Sequence, residues 1–301
     1  IQTIVLVLGG LICMFVIVES LPGGFSQIIE VGKNHGKLAF SELRNGQLTP
    51  VAWGPSLSEK TITMMLLIGL ISWLTEYSSN QNTIQRFNAA SSEVEARKAM
   101  YICAAVSLPT WAFFMLLGTA LYVFFESFPA APATEIIAGL RKAEEVIPYF
   151  IIHHLPKGII GLVLAAIVAA AMSSLDSSIN SISTVATSDI YRRFIKKDAP
   201  DSHYLKFARL TAFGTGLLMI GGAIILTNTH TKTIQDTATV LTSLLAGGLL
   251  SIYAIGFFSR KGNEKDVLFA ILGTMVFTAW TILSSKALLP EFLLYPFDLY
   301  Y

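Results

Sequence analysis

Over 301 residues the side chains are 53% hydrophobic and only 14% charged, against about 25% charged in soluble domains. The 21 basic and 20 acidic residues nearly cancel, so the chain lacks the basic footprint that a nucleic-acid partner requires. Apolar runs of about 20 residues recur, which predicts an all-α polytopic membrane protein.

Seven such runs are read in chain order: 1–18, 61–80, 99–125, 158–188, 206–228, 236–258 and 266–288. The first begins at Ile1, already inside an apolar stretch and not a methionine, so the chain is expected to start within a helix of a longer protein. Cys13 in this run and Cys103 in the third are read as small buried residues rather than a redox pair. Residues 19–60 form a long connection: Pro22-Gly23-Gly24, an amphipathic stretch over about 25–43, then Pro50 and Pro55. The second run turns polar early, at Thr75-Glu76-Tyr77-Ser78-Ser79-Asn80-Gln81. This predicts a helix broken near the membrane midplane, with Glu76 in the break and Trp73 and Tyr77 flanking it. The other reading ends the span near Thr75 and leaves Glu76 among headgroups, but 61–75 alone is short for a span.

Pro109 predicts a kink in the third run. Residues 126–157 carry Pro129, Pro132 and Pro148 around a helix expected at about 134–146, either a lid over a vestibule or a packing helix. Adjacent His153 and His154 point apart on a helix, which does not suit zinc ligation. Gly247-Gly248 in the sixth run reads as a close-packing or kink site. The connections 81–98, 189–205 and 259–265 are denser in Arg and Lys than the longer opposite set and are predicted cytoplasmic.

The fourth run leads into Ala169-Ala-Ala-Met-Ser-Ser-Leu-Asp-Ser-Ser-Ile-Asn180 and on to Thr184. At about 100° per residue, Ser173, Asp176, Ser177, Asn180 and Thr184 share one helix face. Such a row costs several kcal/mol in hydrocarbon unless a cavity, partner or ion compensates it. One reading is a ladder of oxygen ligands for a hard cation such as Na⁺. The other has each serine bonded to the carbonyl one turn back and Asp176 paired with a basic residue elsewhere. Recurrence over three turns favours an ion or solute pathway.

Three stretches resemble the sodium/solute symporter family of Na⁺-coupled sugar, sialic acid, proline and iodide transporters. They are Asn80-Gln81 with Ile84-Gln85-Arg86 and Ala89-Ala90; the run from Ala169 to Asn180 with Ser183-Thr184 and Asp189-Ile190-Tyr191; and Gln2-Thr3 with Gly9 and Leu21-Pro22-Gly23-Gly24. The resemblance implies a partial LeuT-like fold of two inverted five-helix repeats. The chain then forms a single membrane domain: 1–18 is core helix five, 19–60 an outer loop, 61–258 the second repeat with core helices six to ten, and 266–288 one further helix. The first repeat, expected N-terminal in the same polypeptide, is a required partner.

Carried over by position, the family's main sodium site matches the Ala170 carbonyl and the Ser173 and Ser174 hydroxyls, completed by first-helix carbonyls. A second sodium site, found in members resembling sialic acid transporters, matches Ser173, Asp176 and Ser177, with a carboxylate at Asp176 where that pattern has a hydroxyl. Trp73 and Glu76 occupy the places where sugar-transporting members present an asparagine and a gate tyrosine, which argues against a galactose-type pocket. Trp73, Glu76, Tyr77, Asn80 and Gln81 are the solute or gate candidates, Glu76 toward a cationic or polar solute, and Thr237, Thr239, Thr242 and Ser243 would add polar groups from the tenth core helix. The implied function is Na⁺-coupled symport of a small polar organic solute by alternating access, in a multi-pass protein of the cell membrane, with no organic cofactor and no enzymatic activity. The alternative of another class is a symporter-like sensor module of a signalling protein. An intramembrane aspartyl hydrolase would need Asp176 and Glu76 side by side, and the sequence does not bring them together.

Overall fold

The computed structural model describes residues 2–44, 47–56, 59–137, 140–227, 238, 242, 249–259, 263–285 and 289–294. In chain order these form α1 (Gln2–Ser20), α2 (Gly24–Asn34), β1 (Ser41–Arg44), β2 (Gln47–Pro50), α3 (Ile62–Ser79), α4 (Gln81–Asn88), α5 (Glu93–Ser127), α6 (Ala131–Ile137), a 3₁₀ turn at Ala143–Glu145 and α7 (Val146–His154). Then follow α8 (Ile159–Thr184), running on as a π-helical segment Val185–Ile195, α9 (Asp201–Thr227), α10 (Leu249–Phe258), α11 (Glu264–Ser285) and a 3₁₀ turn at Glu291–Leu293. Among the described residues, four helical stretches are long and apolar enough to cross a membrane: Ile62–Ser79, Glu93–Ser127, Ile159–Ile195 and Asp201–Leu226. The pair α1 and α2, bent by 92°, makes a fifth if counted as one span. Of the sixth predicted run only α10 and two isolated residues are described, and the seventh is α11. Thr237, Thr239, Ser243, Gly247 and Gly248 lie outside the described residues.

The described chain divides into two compact units, one of residues 1–28, 97–136 and 144–230, the other of 29–96, 137–143 and 231–301. In the first unit α8 packs against α1, α7 and α9. Close approach at α1 depends on two glycines. A Cβ on Gly9 would lie 3.3 Å from a Val163 methyl of α8, and one on Gly10 would lie 2.9 Å from the Phe113 ring of α5. Small residues at such contacts let membrane helices pack by van der Waals fit, where no hydrophobic drive operates. Cys13 and Ile17 of α1 and Leu117, Leu121 and Val123 of α5 are buried. Cys103, expected buried, is exposed on α5. Trp111 and Met115 of the same helix are exposed as well. An apolar exterior is what a bilayer accepts, so hydrophobicity in a span does not by itself predict burial in protein.

α5 runs unbroken through Pro109. The hydroxyls of Ser107 and Thr110 donate to the Cys103 and Val106 carbonyls at 2.7 Å each. Such side-chain bonds help the backbone tolerate proline within a span. The helix expected at 134–146 is instead two helices. Pro132 lies in the first turn of α6, and Pro148 in the first turn of α7, positions whose N–H groups have no intrahelical acceptor. α7 packs on the end of α5 through rings. Phe124 meets Phe150 edge-on at 5.2 Å and His154 at 4.9 Å, and Phe125 meets His154 at 5.8 Å.

The helix of the fourth run continues beyond 188 to Ile195, leaving a connection of only 196–200 before α9. The π-type bond from Lys196 N–H to the Tyr191 carbonyl (2.9 Å) closes it. The corner is fastened by Tyr204, whose hydroxyl reaches the Lys196 and Lys197 carbonyls at 2.6 and 3.0 Å. Tyr191 stacks on Phe207 at 3.9 Å and bonds His203 through its hydroxyl at 2.9 Å. Higher up, Ser183 donates to the Ala208 carbonyl of α9 at 2.7 Å.

In the second unit the amphipathic stretch stops at Asn34 rather than continuing to 43. Gly36, at φ +67°, ends it with a Schellman motif: Lys37 N–H bonds the Gly32 carbonyl and Gly36 N–H the Lys33 carbonyl. The antiparallel hairpin β1–β2 follows, pairing Ser41 with Pro50 and Leu43 with Leu48. Thr61 caps α3 by accepting from Met64 N–H at 3.3 Å, and Gly54 N–H donates to the Thr63 hydroxyl at 3.2 Å. α10 packs against α3. Asn263 and Asp266 form a reciprocal capping box at the start of α11.

Candidate functional site

The polar stripe of α8 is continuous helix. Ser174 donates to the Ala170 carbonyl at 3.3 Å, Ser177 to the Ser173 carbonyl at 3.0 Å, and Thr184 to the Asn180 carbonyl at 2.8 Å. Bonding one turn back, the second reading of the stripe, is thus present at these three hydroxyls. The row of oxygens still faces outward: Ser173, Ser174 and Asp176 are exposed, while Ala170 and Ser177 are half-buried. At 3.3 Å the bond from Ser174 to Ala170 is long and weak. Two oxygens at that separation fit within the bite of one hard cation, whose oxygen ligands for calcium lie at about 2.3–2.6 Å.

The second candidate region is the corner between α3 and α4. Glu76 was expected inside the break, but it lies within α3, and the break falls four residues later. Asn80, at φ −75° and ψ 116°, is the single extended residue between the two helices. The polar run does not end the helix at Thr75 because its hydroxyls satisfy themselves along it. Thr75 donates to the Ile71 carbonyl (2.8 Å), Ser78 to Leu74 (2.6 Å) and Ser79 to Thr75 (2.7 Å).

Side chains then reach across the corner. Asn80 Oδ1 accepts from Asn82 N–H at 2.9 Å, capping α4, while Asn80 Nδ2 donates to Glu76 Oε2 at 2.8 Å. The other Glu76 oxygen, Oε1, accepts from the Thr83 hydroxyl at 2.8 Å. Tyr77 sits between two rings, Trp73 at 5.6 Å and Phe87 of α4 at 6.3 Å with planes 16° apart. Gln81 opens α4 and is half-buried. Four sequence candidates, Trp73, Glu76, Tyr77 and Asn80, are thus in direct contact in pairs. Thr83 and Phe87 were not among the candidates. The signal for Thr83 was available: an asparagine before Gln81-Asn82-Thr83 marks a helix start whose first turn must meet the preceding helix.

A family model described as the sodium:solute symporter family matches residues 1–274. The sodium/sialic acid symporter of Proteus mirabilis is 27% identical over 89% of this chain and 51% of its own length. A sodium/sialic acid symporter of Aliivibrio fischeri is 25% identical over 93% of this chain and 52% of its own. The sodium/glucose cotransporter of Vibrio parahaemolyticus is 27% identical over 92% and 51%. Among solved structures, a substrate-bound, outward-open Na⁺-coupled sialic acid symporter superposes with a TM-score of 0.71 at 24% identity, over 96% of this chain and 54% of that one. That likeness is one of fold, and it agrees with the expected partial LeuT-like helical architecture. The chain spans about half the length of the relatives it matches.

Proposed function

The chain belongs to the sodium:solute symporter family, a family of membrane transporters, and from that membership we propose that it carries the ion-binding half of a Na⁺-coupled symporter for a small polar organic solute. The observation that supports this best is the placement of the Ala170 carbonyl and the Ser174 hydroxyl 3.3 Å apart on an outward-facing helical stripe. Ser173 stands on the same turn. Na⁺ would take these three oxygens together with carbonyls from the first core helix, which belongs to the N-terminal repeat of the same polypeptide. Asp176 and Ser177, one turn on, are proposed with Ser173 as a second sodium site.

In this reading residues 1–18 are core helix five, 61–258 core helices six to ten and 266–288 one further helix. The solute binds beside the α3–α4 corner, against Trp73, Tyr77, Asn80 and Gln81. Transport is coupled because Na⁺ has different affinities for the outward- and inward-facing states, and solute affinity changes with it by the same factor. Release of Na⁺ to the cytoplasm loosens α8 from its partner helix and frees the solute. The names of these relatives make sialic acids and sugars the first solutes to try.

The test is uptake by the full-length protein in proteoliposomes across that panel, with Na⁺ against K⁺ or choline. Na⁺-dependent uptake of at least one solute is expected, with a raised Na⁺ requirement in Ser174→Ala. Uptake that is indifferent to Na⁺, or a Ser174→Ala protein with unaltered Na⁺ dependence, overturns the assignment.

A further inference from the structure

Glu76 holds one geometric relation that a straight helix forbids. Residues seven apart in an α-helix are separated by about 10.5 Å along the axis, too far for a glutamate and a threonine to share a hydrogen bond. The 2.8 Å bond from the Thr83 hydroxyl to Glu76 Oε1 therefore exists only because the chain turns at Asn80. The other carboxylate oxygen takes the Asn80 side-chain N–H, and Asn80 in turn caps Asn82. One carboxylate thus ties the last turn of α3, the corner residue and the first turn of α4. It also sets the Asn80 amide: turned over, its carbonyl would face the carboxylate and its NH₂ the Asn82 N–H, donor against donor and acceptor against acceptor.

We infer that Glu76 is a positioning residue that braces the α3–α4 corner and fixes the Asn80 amide in its capping orientation, not a charge held ready for a cation. This rests on the reading of the corner as the solute site. The brace has an aromatic companion, because the Tyr77 ring of α3 runs nearly parallel to that of Phe87 of α4, with centroids 6.3 Å apart. Its chemistry asks for two hydrogen-bonding positions on one side chain, and a negative charge is not required for that. A glutamine supplies both: its carbonyl accepts from Asn80, and its NH₂ donates to the Thr83 oxygen, which accepts as readily as it donates.

The experiment uses the full-length transporter with Glu76→Gln, Glu76→Ala, Thr83→Ala and the Glu76→Ala/Thr83→Ala pair. Hydrogen exchange of the backbone amides at 80–84 is followed without solute, alongside uptake kinetics. Glu76→Ala is expected to speed exchange at the corner by about tenfold or more, Thr83→Ala by less, and the pair no more than Glu76→Ala alone. Glu76→Gln should exchange like the parent, and its solute KM should stay within about threefold, whereas Glu76→Ala raises KM more than it lowers kcat. Glutamine as damaging as alanine would show that charge is the essential property and overturn the inference. Unchanged exchange in Glu76→Ala overturns it as well. Exchange is read without transport, so a protein that carries no solute would refute the proposed function while the brace is still judged on its own.

Discussion

Along the α8 stripe three hydroxyls turn back on their own helix, Ser174 to Ala170, Ser177 to Ser173 and Thr184 to Asn180. At the α3–α4 corner polar side chains bond across a discontinuity: Thr83 donates back to Glu76, and Asn80 accepts from Asn82 N–H while donating to Glu76. The distinction is energetic. A hydroxyl bonded one turn back adds little to a helix that is already complete, and it keeps a lone pair for an ion. A side chain that spans a corner supplies the bonds the backbone has lost, so the geometry depends on it. Polar stripes of the first kind are suited to transient ligands, and clusters of the second kind to holding a shape.

The sharpest test of that contrast is to remove hydroxyls from the stripe. The Ser173→Ala/Ser174→Ala pair should raise the Na⁺ concentration for half-maximal uptake by about tenfold or more, within the usual range of coupling energies. Its thermal stability without Na⁺ should stay within about 0.5 kcal/mol of the parent, as for substitutions away from structural contacts. A large loss of stability with normal Na⁺ dependence would place the stripe in the structural class and erase the difference. Asn80→Ala is the converse. Loss of the cap on α4 should cost about 1 kcal/mol, seen as a lowered melting temperature of similar size with and without Na⁺.

How far the sequence foretold these regions follows from the same distinction. The α8 face was legible because a 3.6-residue period places Ser173, Asp176, Ser177, Asn180 and Thr184 together whatever packs nearby. The position of the corner was not, because the polar residues from Thr75 to Ser79 read as a helix end while their hydroxyls were bonding to Ile71, Leu74 and Thr75. Only the arrangement of Asn80 with Asn82 shows where the helix stops. The helix of α8 outruns its apolar span for a related reason. Tyr191-Arg192-Arg193 marks the end of an apolar span, but stacking of Tyr191 on Phe207 and the bonds of Tyr204 carry helical structure on to Ile195. Hydrophobicity shows where a membrane segment ends; side-chain contacts determine where its helix ends.

Two adjacent histidines on α7 repeat the contrast at smaller scale. His153 Nδ1 lies 2.9 Å from the Tyr149 carbonyl one turn back and its ring stacks on Tyr149 of the same helix at 4.2 Å, whereas His154 packs across to Phe124 and Phe125 of α5 as well as against Phe150. His154→Ala should therefore destabilise by about 0.5–1.5 kcal/mol, the size of an aromatic pairing, and His153→Ala by less. Burial, with the neighbouring His153 charge adding to it, holds the His154 pKa below the ordinary imidazole value of 6.5. The unfolded chain then binds the proton more readily than the folded one. The contribution of His154 is complete above that ordinary value and is lost as pH falls through the lower folded one. Melting curves from pH 8 down to 5 should show the parent losing stability on acidification and His154→Phe losing less of it. Equal losses would remove His154 from the packed class.

Thr184→Val is expected to do least, and it tests where the proposed ion-binding stripe stops. Valine keeps the branched shape of threonine and loses only the 2.8 Å bond to the Asn180 carbonyl, at the last α-helical residue before the π-helical segment begins at Val185. That carbonyl belongs to a continuous helix, so losing the hydroxyl leaves it no orphan, and the change in stability should lie within about 0.5 kcal/mol. Thr184 also lies ten residues beyond Ser174, about 15 Å along the helix axis, well outside the coordination sphere of an ion held at Ala170 and Ser174. Na⁺ dependence should therefore match the parent. A raised Na⁺ requirement in Thr184→Val would mean that the outward row of oxygens acts as one ion path through to the π-helical segment, so that bonding one turn back no longer separates a binding turn from its neighbours.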